Sequence, residues 1–554
     1  MKILLVIPAY NSYKYRRRGV PYLMPVGLAY INAALREADL NVNCLNMNYL
    51  GEDCYSVLAQ RVIDDDIDYV LCGGLSPHWR EIKKVFDTVK KVKPSVITIG
   101  GGGLFTAEPL VAAESTGVDF AVIGEGEITD VELLRALNAH QNVSNVKGIV
   151  YKTREGYRQS PPREQIMDLD SISFPCYDGF EMEEFLRSQR TTDNLHHSFY
   201  SDYPRVIPMV MGRSCPYQCK FCFHPVGNKY RMRSLDNFFA ELDMLMEKYA
   251  PTCITILDEL FSSNTKKVYE FCERIKPYHL KWLVQMRVDI INKELLDTMH
   301  DAGCISISYG LESFSPVVLN NMRKNITTED MERALRLTYE AGIDIQGNFI
   351  FGDELEDEHT IYETLSFWFK HPEYGINLAM IATYPGSGYY QDLVKNKIIQ
   401  DTKDFLEREE WVINLTKLSD ETFKKYRLVL RLIFYYYNPM SVSDKKIYMD
   451  ENGEGVIEAE CVHCGALNRW GGIRKYLLNQ VCFTLICRHC NHRNNIYCNK
   501  ERLTYWDSIE YLCRMVAEAK DEHDFKLAVD VLYRFYVSVR DPEKSIPIPL
   551  PESD

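Results

Sequence analysis

Short apolar runs alternate with helical stretches from residue 1 to about residue 400, and this alternation restricts the chain to an α/β architecture. Within residues 1–155 the predicted strands are Lys2–Ile7, Tyr69–Cys72, Val96–Ile99 and Phe120–Ile123. Helical periodicity separates these strands, so each connection is a crossover and the strands are expected to pair in parallel. The pattern predicts a doubly wound, Rossmann-like domain over residues 1–155.

A second series of six strands follows residues 156–200, a polar stretch that is typical of a linker. The predicted strands are Ile207–Met211, Cys253–Leu257, Trp282–Met286, Ile305–Tyr309, Ile345–Phe351 and Asn377–Thr383. Helical patterns alternate with them, which predicts a partial (β/α)6 barrel of the TIM type over residues 201–400. Reactive groups are then expected at the carboxyl ends of the strands.

The rest of the chain is predicted to contain a helical extension over 401–454, a zinc-ribbon-like unit over 455–500, and helices with a tail over 501–554. No run approaches the roughly 18 apolar residues of a membrane span, and the first residues resemble a strand rather than a cleavable leader. We therefore expect a cytoplasmic protein. The net charge of −14 disfavours nucleic acid as a partner, because phosphate binding depends on Lys and Arg.

Three cysteines follow the first barrel strand at a spacing that suits an iron–sulfur cluster. The segment Cys215-Pro-Tyr-Gln-Cys219-Lys-Phe-Cys222 can hold three corners of a [4Fe–4S] cube and leave the fourth iron open. The chain's 17 cysteines cannot be a disulfide framework in a reducing compartment, so clustered cysteines indicate metal or redox chemistry. The alternative is a zinc site with His224 as the fourth ligand.

This motif resembles the signature of the radical S-adenosylmethionine (SAM) superfamily, C-x₃-C-x₂-C with an aromatic residue, here Phe221, before the last cysteine. The resemblance implies that the open iron binds the amino and carboxylate groups of SAM. It also implies one-electron cleavage of SAM to methionine and a 5′-deoxyadenosyl radical. The electron is expected from a donor such as flavodoxin or ferredoxin.

The resemblance continues downstream and implies further cofactor-binding positions at the ends of the next barrel strands. These positions are Asp258, Glu259, Arg287, Gly310, Glu312, Ser313, Gly347 and Ile350. Glu312 and Ser313 belong to a G-x-E-S element, and Ile350 is expected to lie against the adenine. One departure is Asp353-Glu-Leu, which replaces a Pro-Gly-Glu-like turn and leaves the position of that turn's acid open.

Three glycine-rich loops end strands of the first domain, at the edge where doubly wound sheets bind ligands. The candidate binding residues there are Gly73, Gly74, Ser76, Gly101, Gly102, Gly124, Glu125 and Gly126. The order of this domain, linker and barrel resembles the cobalamin (B12)-binding class of radical enzymes, so the resemblance implies a bound cobalamin. No Asp-x-His-x-x-Gly loop occurs, and His78 is expected to be a hydrogen-bonded loop residue rather than a cobalt ligand.

Two C-x₂-C knuckles lie near the carboxyl terminus, at Cys461, Cys464, Cys487 and Cys490. This pattern is typical of a structural Zn²⁺ site, whose metal supplies folding free energy to a small unit. The alternative is a second [4Fe–4S] cluster, for which Cys482 and Cys498 are spare ligands.

The resemblance to the cobalamin-binding class implies methylation of an unactivated carbon in a small-molecule or peptide substrate. A ring closure, rearrangement or redox reaction is the first alternative, because the same motifs serve both outcomes. A non-catalytic metal-binding interaction protein is the second. Nothing in the sequence identifies the substrate.

Overall fold

A computed structural model describes residues 1–10, 24–191, 200–261, 264–408, 410–475, 477–479, 482–498 and 505–540. Parts of the stretches predicted as linker (156–200) and as carboxyl-terminal helices and tail (501–554) lie outside these residues. The chain divides into two compact units. The first comprises Met1–Gln189, Arg205–Phe261 and Thr383–Trp411, and the second comprises Arg190–Pro204, Ser262–Ala382 and Val412–Asp554.

A seven-stranded sheet in the order β2-β1-β3-β4-β5-β6-β7 organises the first unit. Its strands are β1 (Ile3–Ile7), β2 (Val42–Asn46), β3 (Tyr69–Gly73), β4 (Ile97–Gly101), β5 (Phe120–Val122), β6 (Ile149–Thr153) and β7 (Gly156–Gln159). The first five strands pair in parallel, as predicted. Strands β6 and β7, which were not among the predicted strands, pair antiparallel, β6 with β5 and β7 with β6. A two-residue turn joins β6 to β7 and is too short for a crossover.

Helices separate the strands of this sheet, as the periodicity predicts. They are α1 (Val26–Glu37), α2 (Cys54–Asp64), α3 (Trp79–Val92), α4 (Gly103–Ala107), α5 (Pro109–Thr116), α6 (Gly126–Asn138) and, after the sheet, α7 (Met182–Ser188). In α3 the buried residues Ile82, Val85, Phe86 and Val89 recur at helical spacing. This apolar stripe packs into the core, and the opposite face stays polar.

The remaining part of the first unit before residue 262 surrounds the three cysteines. Its elements are β8 (Val206–Met209), β9 (Gly212–Arg213), β10 (Arg231–Met232), α8 (Leu235–Tyr249) and β11 (Cys253–Ile256). Strands β8 and β11 pair in parallel, and the short strands β9 and β10 pair antiparallel. The β9–β10 pair therefore brings the two ends of the cysteine segment together.

Four parallel strands form the centre of the second unit. Its elements from residue 264 are α9 (Thr265–Ile275), β12 (Lys281–Met286), α10 (Lys293–Asp301), β13 (Cys304–Glu312), α11 (Pro316–Asn321), α12 (Thr328–Glu340), β14 (Asp344–Phe351), α13 (Glu358–Lys370) and β15 (Asn377–Met380). The strand order is β15-β14-β13-β12. All six strands predicted for the barrel series therefore form, and helices alternate with them.

The chain then contributes α14 (Gly388–Lys395) and α15 (Thr402–Leu406) to the first unit. The last elements, all in the second unit, are α16 (Asp420–Tyr436), β16 (Lys445–Met449), β17 (Gly455–Glu460), β18 (Leu467–Ile473), β19 (Cys482–Ile486), β20 (Arg493–Tyr497), α17 (Trp506–Ala517) and α18 (Glu522–Arg540). Strands β16 to β20 pair antiparallel around a small core that includes Trp470.

None of the helices in the described part of the chain has the length and apolarity that crossing a bilayer requires.

Candidate active site

Cys215, Cys219 and Cys222 are all on the loop that connects β9 to β10, and each of the three side chains is partly exposed. The backbone N–H of Cys222 donates to the carbonyl of Cys219 over 3.0 Å, which turns the loop back on itself. Ser214 enters the loop in a left-handed conformation with φ of 68°, and its hydroxyl donates to the Gly227 carbonyl. The loop thus presents three accessible thiols from one short segment.

His224, the candidate fourth zinc ligand at this loop, already has hydrogen-bond partners on both ring nitrogens. Its Nδ1 contacts the Glu259 carboxylate, and its Nε2 lies 3.2 Å from the Tyr217 carbonyl oxygen. The bond with Glu259 raises the pKa of His224. This arrangement does not fit the Cys₃His zinc alternative, whereas three thiols without a fourth ligand fit a cluster with one open iron.

Asp258 supports the strand end from which the cysteine loop begins. Its Oδ1 accepts the backbone N–H of Met211 over 2.8 Å, and the carboxyl group is fully buried. Burial raises the pKa of Asp258 to about 8. Asp258 and Glu259 therefore contact the cysteine loop through Met211 and His224.

A buried network of two arginines and two glutamates fixes both ends of the cysteine loop. Glu125 accepts hydrogen bonds from Arg213 at 2.7 Å, from Arg231 at 2.7 and 2.8 Å, and from the Ile166 backbone N–H at 2.8 Å. Glu127 accepts one from Arg213 at 2.6 Å. None of the four charged side chains is more than 10% exposed. Although burial alone would lower the pKa of Arg213, its pairs with the two glutamates raise it.

Glu125, which was predicted to bind a cofactor, also holds the cysteine loop through this network. Glu125 belongs to the loop between β5 and α6, whereas Arg213 lies in β9 and Arg231 in β10. The glutamate thus connects the glycine-rich loop of the first sheet to both ends of the cysteine loop. The position of Gly124 in that loop requires glycine-like freedom, since its φ is 75°.

Backbone rather than side chains lines the carboxyl ends of β3 and β4. A Cβ added to Gly73 would lie 2.6 Å from the Gly101 carbonyl oxygen, and one on Gly102 would lie 2.8 Å from that of Gly74. Ser76 follows as a buried residue. Gly73 and Gly102 thus let the two loops pack backbone against backbone. Gly101 differs, because a Cβ there would meet no atom within 4 Å, and a broad, flat ligand such as cobalamin can approach the backbone at that position.

The cysteine loop also meets the glycine-rich loop that follows β4. A Cβ added to Gly103 would lie 3.5 Å from the Cβ of Pro225, three residues after Cys222. The predicted cobalamin edge and the predicted cluster loop are therefore neighbours within the first unit.

His78 lies in a 3₁₀ turn behind this edge. Its Nδ1 is buried without a hydrogen-bond partner among the described residues, which differs from the expected hydrogen-bonded loop histidine. Its ring contacts Tyr10, with the centroids 4.5 Å apart. Burial lowers the pKa of His78, so the imidazole is neutral at physiological pH.

In the second unit, the predicted charged site residues are held in pairs at the ends of β12 and β13. Arg287 donates to Asp289, with the shortest distances 3.1 Å, and to the backbone carbonyl of Asn325 at 2.7 Å. Glu312 is buried, has a left-handed φ of 67° and accepts from Lys324 Nζ at 2.7 Å. The missing side chain of Gly310 makes room for this pair, since a Cβ there would lie 2.4 Å from Glu312 Oε1.

The other predicted residues of β13 and β14 have distinct surroundings. The hydroxyl of Ser313 lies 3.1 Å from Thr364 Oγ1 and accepts the Ser315 backbone N–H at 3.1 Å. Gly347 is tightly packed, because a Cβ there would lie 2.8 Å from Leu311 Cδ1. Ile350 is partly exposed and offers an apolar surface on β14.

The turn after β14 contains an acid that the sequence reasoning missed. Glu356 is fully buried and accepts the backbone N–H of Gly352, while Asp353 accepts from Asn321 at 2.9 and 3.0 Å. Burial raises the pKa of Glu356 to about 8. The available signal was a glutamate four residues after Gly352.

The four carboxyl-terminal cysteines converge on one point. One sulfur from each of Cys461, Cys464, Cys487 and Cys490 lies within 4.8 Å of the others, and the Cys461–Cys490 and Cys464–Cys487 sulfurs are each 3.7 Å apart. The backbone N–H groups of His463 and His489 donate to Cys461 and Cys487 at 3.4 and 3.3 Å. Such donors stabilise thiolates, as a metal site requires.

Side chains of the ribbon pack on α12 and on the amino end of β14. Arg493 donates to the buried Asp344 at 2.7 and 3.0 Å, and Asp344 also accepts from Ser306 at 2.8 Å. The ring of His492 stacks on Tyr339 with centroids 3.9 Å apart. The ribbon is thereby attached to the amino end of β14.

Comparisons with known proteins identify two domains in this chain. Residues 20–134 match the family model of the B12 binding domain, and residues 209–367 match that of the Radical SAM superfamily. An uncharacterised methyltransferase of Pyrococcus horikoshii is 28% identical over 406 residues, which cover 72% of this chain and 84% of that protein. The anaerobic magnesium-protoporphyrin IX monomethyl ester cyclase of Rubrivivax gelatinosus is 28% identical over 410 residues, 71% of this chain and 70% of the cyclase.

A solved structure extends the likeness of fold to almost the whole chain. The cobalamin-dependent SAM radical enzyme OxsB, with aqua-cobalamin and SAM bound, superposes with a TM-score of 0.59 at 15% identity. The match covers 98% of this chain and 80% of OxsB. The two domain matches and the position of the cysteine loop lead to one conclusion: this chain combines a B12-binding domain at residues 20–134 with a Radical SAM domain at residues 209–367.

Proposed function

We propose that this enzyme is a cobalamin-dependent methyltransferase that acts on an unactivated carbon of a small-molecule or peptide substrate. The observation that carries the proposal is the Glu125–Arg213–Arg231 network, which ties a loop of the B12-binding domain to both ends of the cysteine loop. A methyl donor and a substrate radical react only at close range, and a buried ion-pair network keeps the two loops at a fixed separation.

Residues of the first unit would hold the two metal cofactors. Cys215, Cys219 and Cys222 would bind three irons of a [4Fe–4S] cluster, with Phe221 beside them. The cobalamin would lie on the backbone edge of the first sheet, near Gly73, Gly74, Ser76, Gly101, Gly102, Gly124, Glu125 and Gly126. Asp258 and Glu259 would keep the cysteine loop in place through Met211 and His224.

Residues of the second unit would bind SAM. Glu312 and Ser313 at the end of β13 would contact its polar groups, and Ile350 would lie against the adenine. Arg287 and the glycines at 310 and 347 would support these contacts, since Arg287 fixes the segment after β12 and neither glycine leaves space for a side chain. When bound, the cluster supplies the electron that cleaves SAM to methionine and a 5′-deoxyadenosyl radical, and cobalamin supplies the methyl group. Flavodoxin or ferredoxin would donate that electron.

We propose zinc for the carboxyl-terminal site. A tetrahedron with Zn–S bonds of about 2.3 Å has edges of about 3.8 Å, and the paired sulfurs of the ribbon are 3.7 Å apart. A [4Fe–4S] cube spreads its thiolates over four separate irons and needs wider spacing. The observed spacing supports a single tetrahedral ion.

The test of methylation needs no knowledge of the substrate. Protein reconstituted with cluster and cobalamin is incubated anaerobically with SAM and dithionite, and the nucleoside products are quantified. A methyltransferase is expected to give both 5′-deoxyadenosine and S-adenosylhomocysteine, the by-product when SAM donates its methyl group, and the latter only with cobalamin present. Formation of 5′-deoxyadenosine without cobalamin-dependent S-adenosylhomocysteine would favour the cyclisation or rearrangement alternative.

A further inference from the structure

Three polar side chains form a row across the middle of the sheet in the second unit. Gln285 of β12 is opposite Ser308 of β13, and Ser308 is opposite Gln346 of β14. Gln285 is exposed, and the other two are half-buried. Alternate strand residues point to opposite faces, so the three side chains share one face while the intervening residues are buried in the other.

The layers on either side of this row are already satisfied by protein contacts. Toward the amino ends of the strands, Asp344 pairs with Arg493 and Ser306. Toward the carboxyl ends, Asn377 donates to Asn348 at 3.0 Å. The polar row itself, Gln285, Ser308 and Gln346, makes no side-chain hydrogen bond within the part of the chain that the structure describes.

The polar atoms of these three side chains are not fully buried, so water satisfies them when no ligand is bound. A ligand that covers the row must replace those hydrogen bonds, since leaving a buried donor or acceptor unsatisfied costs about 1–3 kcal/mol. Strands lie about 4.8 Å apart, so the row offers polar groups over about 10 Å. It contains both donors and acceptors and no charged group. The charges on the same face, Arg287, Asp344 and Glu312, are paired with Asp289, Arg493 and Lys324. A carboxylate or phosphate would therefore lose water here without gaining a counter-ion.

We propose that Gln285, Ser308 and Gln346 form the substrate-recognition row of this enzyme and bind an uncharged amide group of the substrate. A carboxamide matches the row because it donates and accepts hydrogen bonds without carrying charge. This inference rests on the proposed radical chemistry. A substrate bound to the row would lie beside the reactive groups expected at the carboxyl ends of the same strands.

The experiment uses deuterium transfer to detect what lies beside the reactive radical. The full-length protein, reconstituted with cluster and cobalamin, cleaves SAM with dithionite in the presence of N-methylacetamide whose methyl groups are deuterated. When the probe is bound, the 5′-deoxyadenosyl radical removes one deuterium: a C–D bond of the probe breaks and a C5′–D bond forms. An electron from dithionite and a proton then convert the carbon radical of the probe to a stable product. The readout is the mass of 5′-deoxyadenosine, and deuterated acetate is the charged control probe.

We expect deuterated 5′-deoxyadenosine from the amide and only background from acetate. Gln346→Leu and Gln285→Leu preserve side-chain size and remove the hydrogen bonds, so each is expected to reduce the deuterated fraction about tenfold. Total SAM cleavage should stay within about twofold of the parent. The matched control, Gln141→Leu at an exposed site, should change neither quantity.

Three results would overturn the inference. They are no transfer from the amide to the parent protein, equal transfer from acetate, or unchanged transfer in both leucine variants. A higher SAM requirement with an unchanged deuterated fraction would instead assign the row to SAM. Absence of 5′-deoxyadenosine from every sample would contradict the proposed radical function itself, and this outcome is separate from the others.

Discussion

The two cysteine sites of this chain differ in what holds them. The cysteine loop carries three thiols on one segment, and buried ion pairs fix its ends. The ribbon carries four thiols on two knuckles, and backbone N–H groups and a small core fix them. An incomplete ligand set leaves a position for chemistry, whereas a complete one serves folding. The number of cysteine ligands, and whether they come from one segment or two, thus indicate the role of each site.

The largest expected effect is the loss of catalysis in Cys219→Ala. Removal of one thiolate leaves the cluster with too few ligands, so SAM cleavage should fall to background while the protein still melts near the parent temperature. Cluster content by iron analysis and 5′-deoxyadenosine by mass spectrometry measure this. Cys176→Ala, at a half-buried cysteine outside both sites, is the matched control. A Cys219→Ala protein that cleaves SAM normally would remove the cysteine loop from the mechanism.

Cys461→Ala should act on folding. Binding of a structural zinc contributes on the order of 10 kcal/mol to such units, so the variant should lose zinc and become less soluble. Metal analysis of the purified protein and its melting curve test this, with Cys482→Ala as the control that keeps zinc. If iron disappears from Cys461→Ala and the parent contains no zinc, the ribbon is a second cluster and the contrast between the sites fails.

Glu125→Gln tests whether ion pairs hold the cysteine loop. The substitution leaves the buried Arg231 without its counter-charge and should destabilise the first unit by about 3 kcal/mol. Glu155→Gln is the control, because its partner Arg158 is exposed and surface pairs contribute little. Thermal melts give the stability. The magnetic coupling between reduced cluster and reduced cobalamin should also weaken in Glu125→Gln, a change that a purely structural role elsewhere would not produce.

Tyr339→Leu weakens the attachment of the ribbon without touching its thiols. Loss of stacking on His492 and of the 2.9 Å contact with His463 should cost about 1 kcal/mol. Zinc release to a chelator should then be faster, and SAM cleavage should be unchanged. Tyr448→Leu, at an exposed tyrosine of β16, serves as the comparison. Equal zinc release from both variants would mean that the stacking contributes nothing to the ribbon.

The effect expected at Asp258 is a dependence of stability on pH. Because burial raises its pKa to about 8, the folded protein retains a proton that the unfolded chain has lost, and stability must fall as pH rises toward 8. Between pH 7 and 8 this change should be below about 1.4 kcal/mol. Asp258→Asn should flatten the pH profile of the unfolding free energy. A profile with the same slope in both proteins would show that Asp258 is ionised in the folded state.

Local patterns in the sequence predicted four strands of the first sheet and the six barrel strands, but not β2, β6 and β7. Apolar runs and helical spacing identified all six barrel strands, because burial imposes those periodicities directly on each segment. The β6–β7 hairpin was not among the predicted strands, and its two-residue turn requires an antiparallel pairing. The two cysteine motifs were recognisable because the cysteines of the loop, and those within each knuckle, are close in sequence.

Long-range pairings could not be predicted in this way. Glu125 was identified as a loop acid, but its bond to Arg231, 106 residues away, follows from the packing of the loops. Glu312 and Arg287 were identified as site residues without their partners Lys324 and Asp289. The polar row escaped notice because glutamines in strands carry no motif, and only register shows that Gln285, Ser308 and Gln346 are neighbours.

The pairing of Asp344 with Arg493 also has a consequence for how the protein is made. The ribosome synthesises β14 well before the arginine that neutralises its first residue, since 149 positions separate the two. Until then the nascent strand carries a carboxylate whose burial is unfavourable. A polypeptide that stops before residue 493 should therefore be a target for chaperones and proteases, even though it contains the whole segment that matches the radical family. Completion of the ribbon would act as a checkpoint for the release of a finished chain.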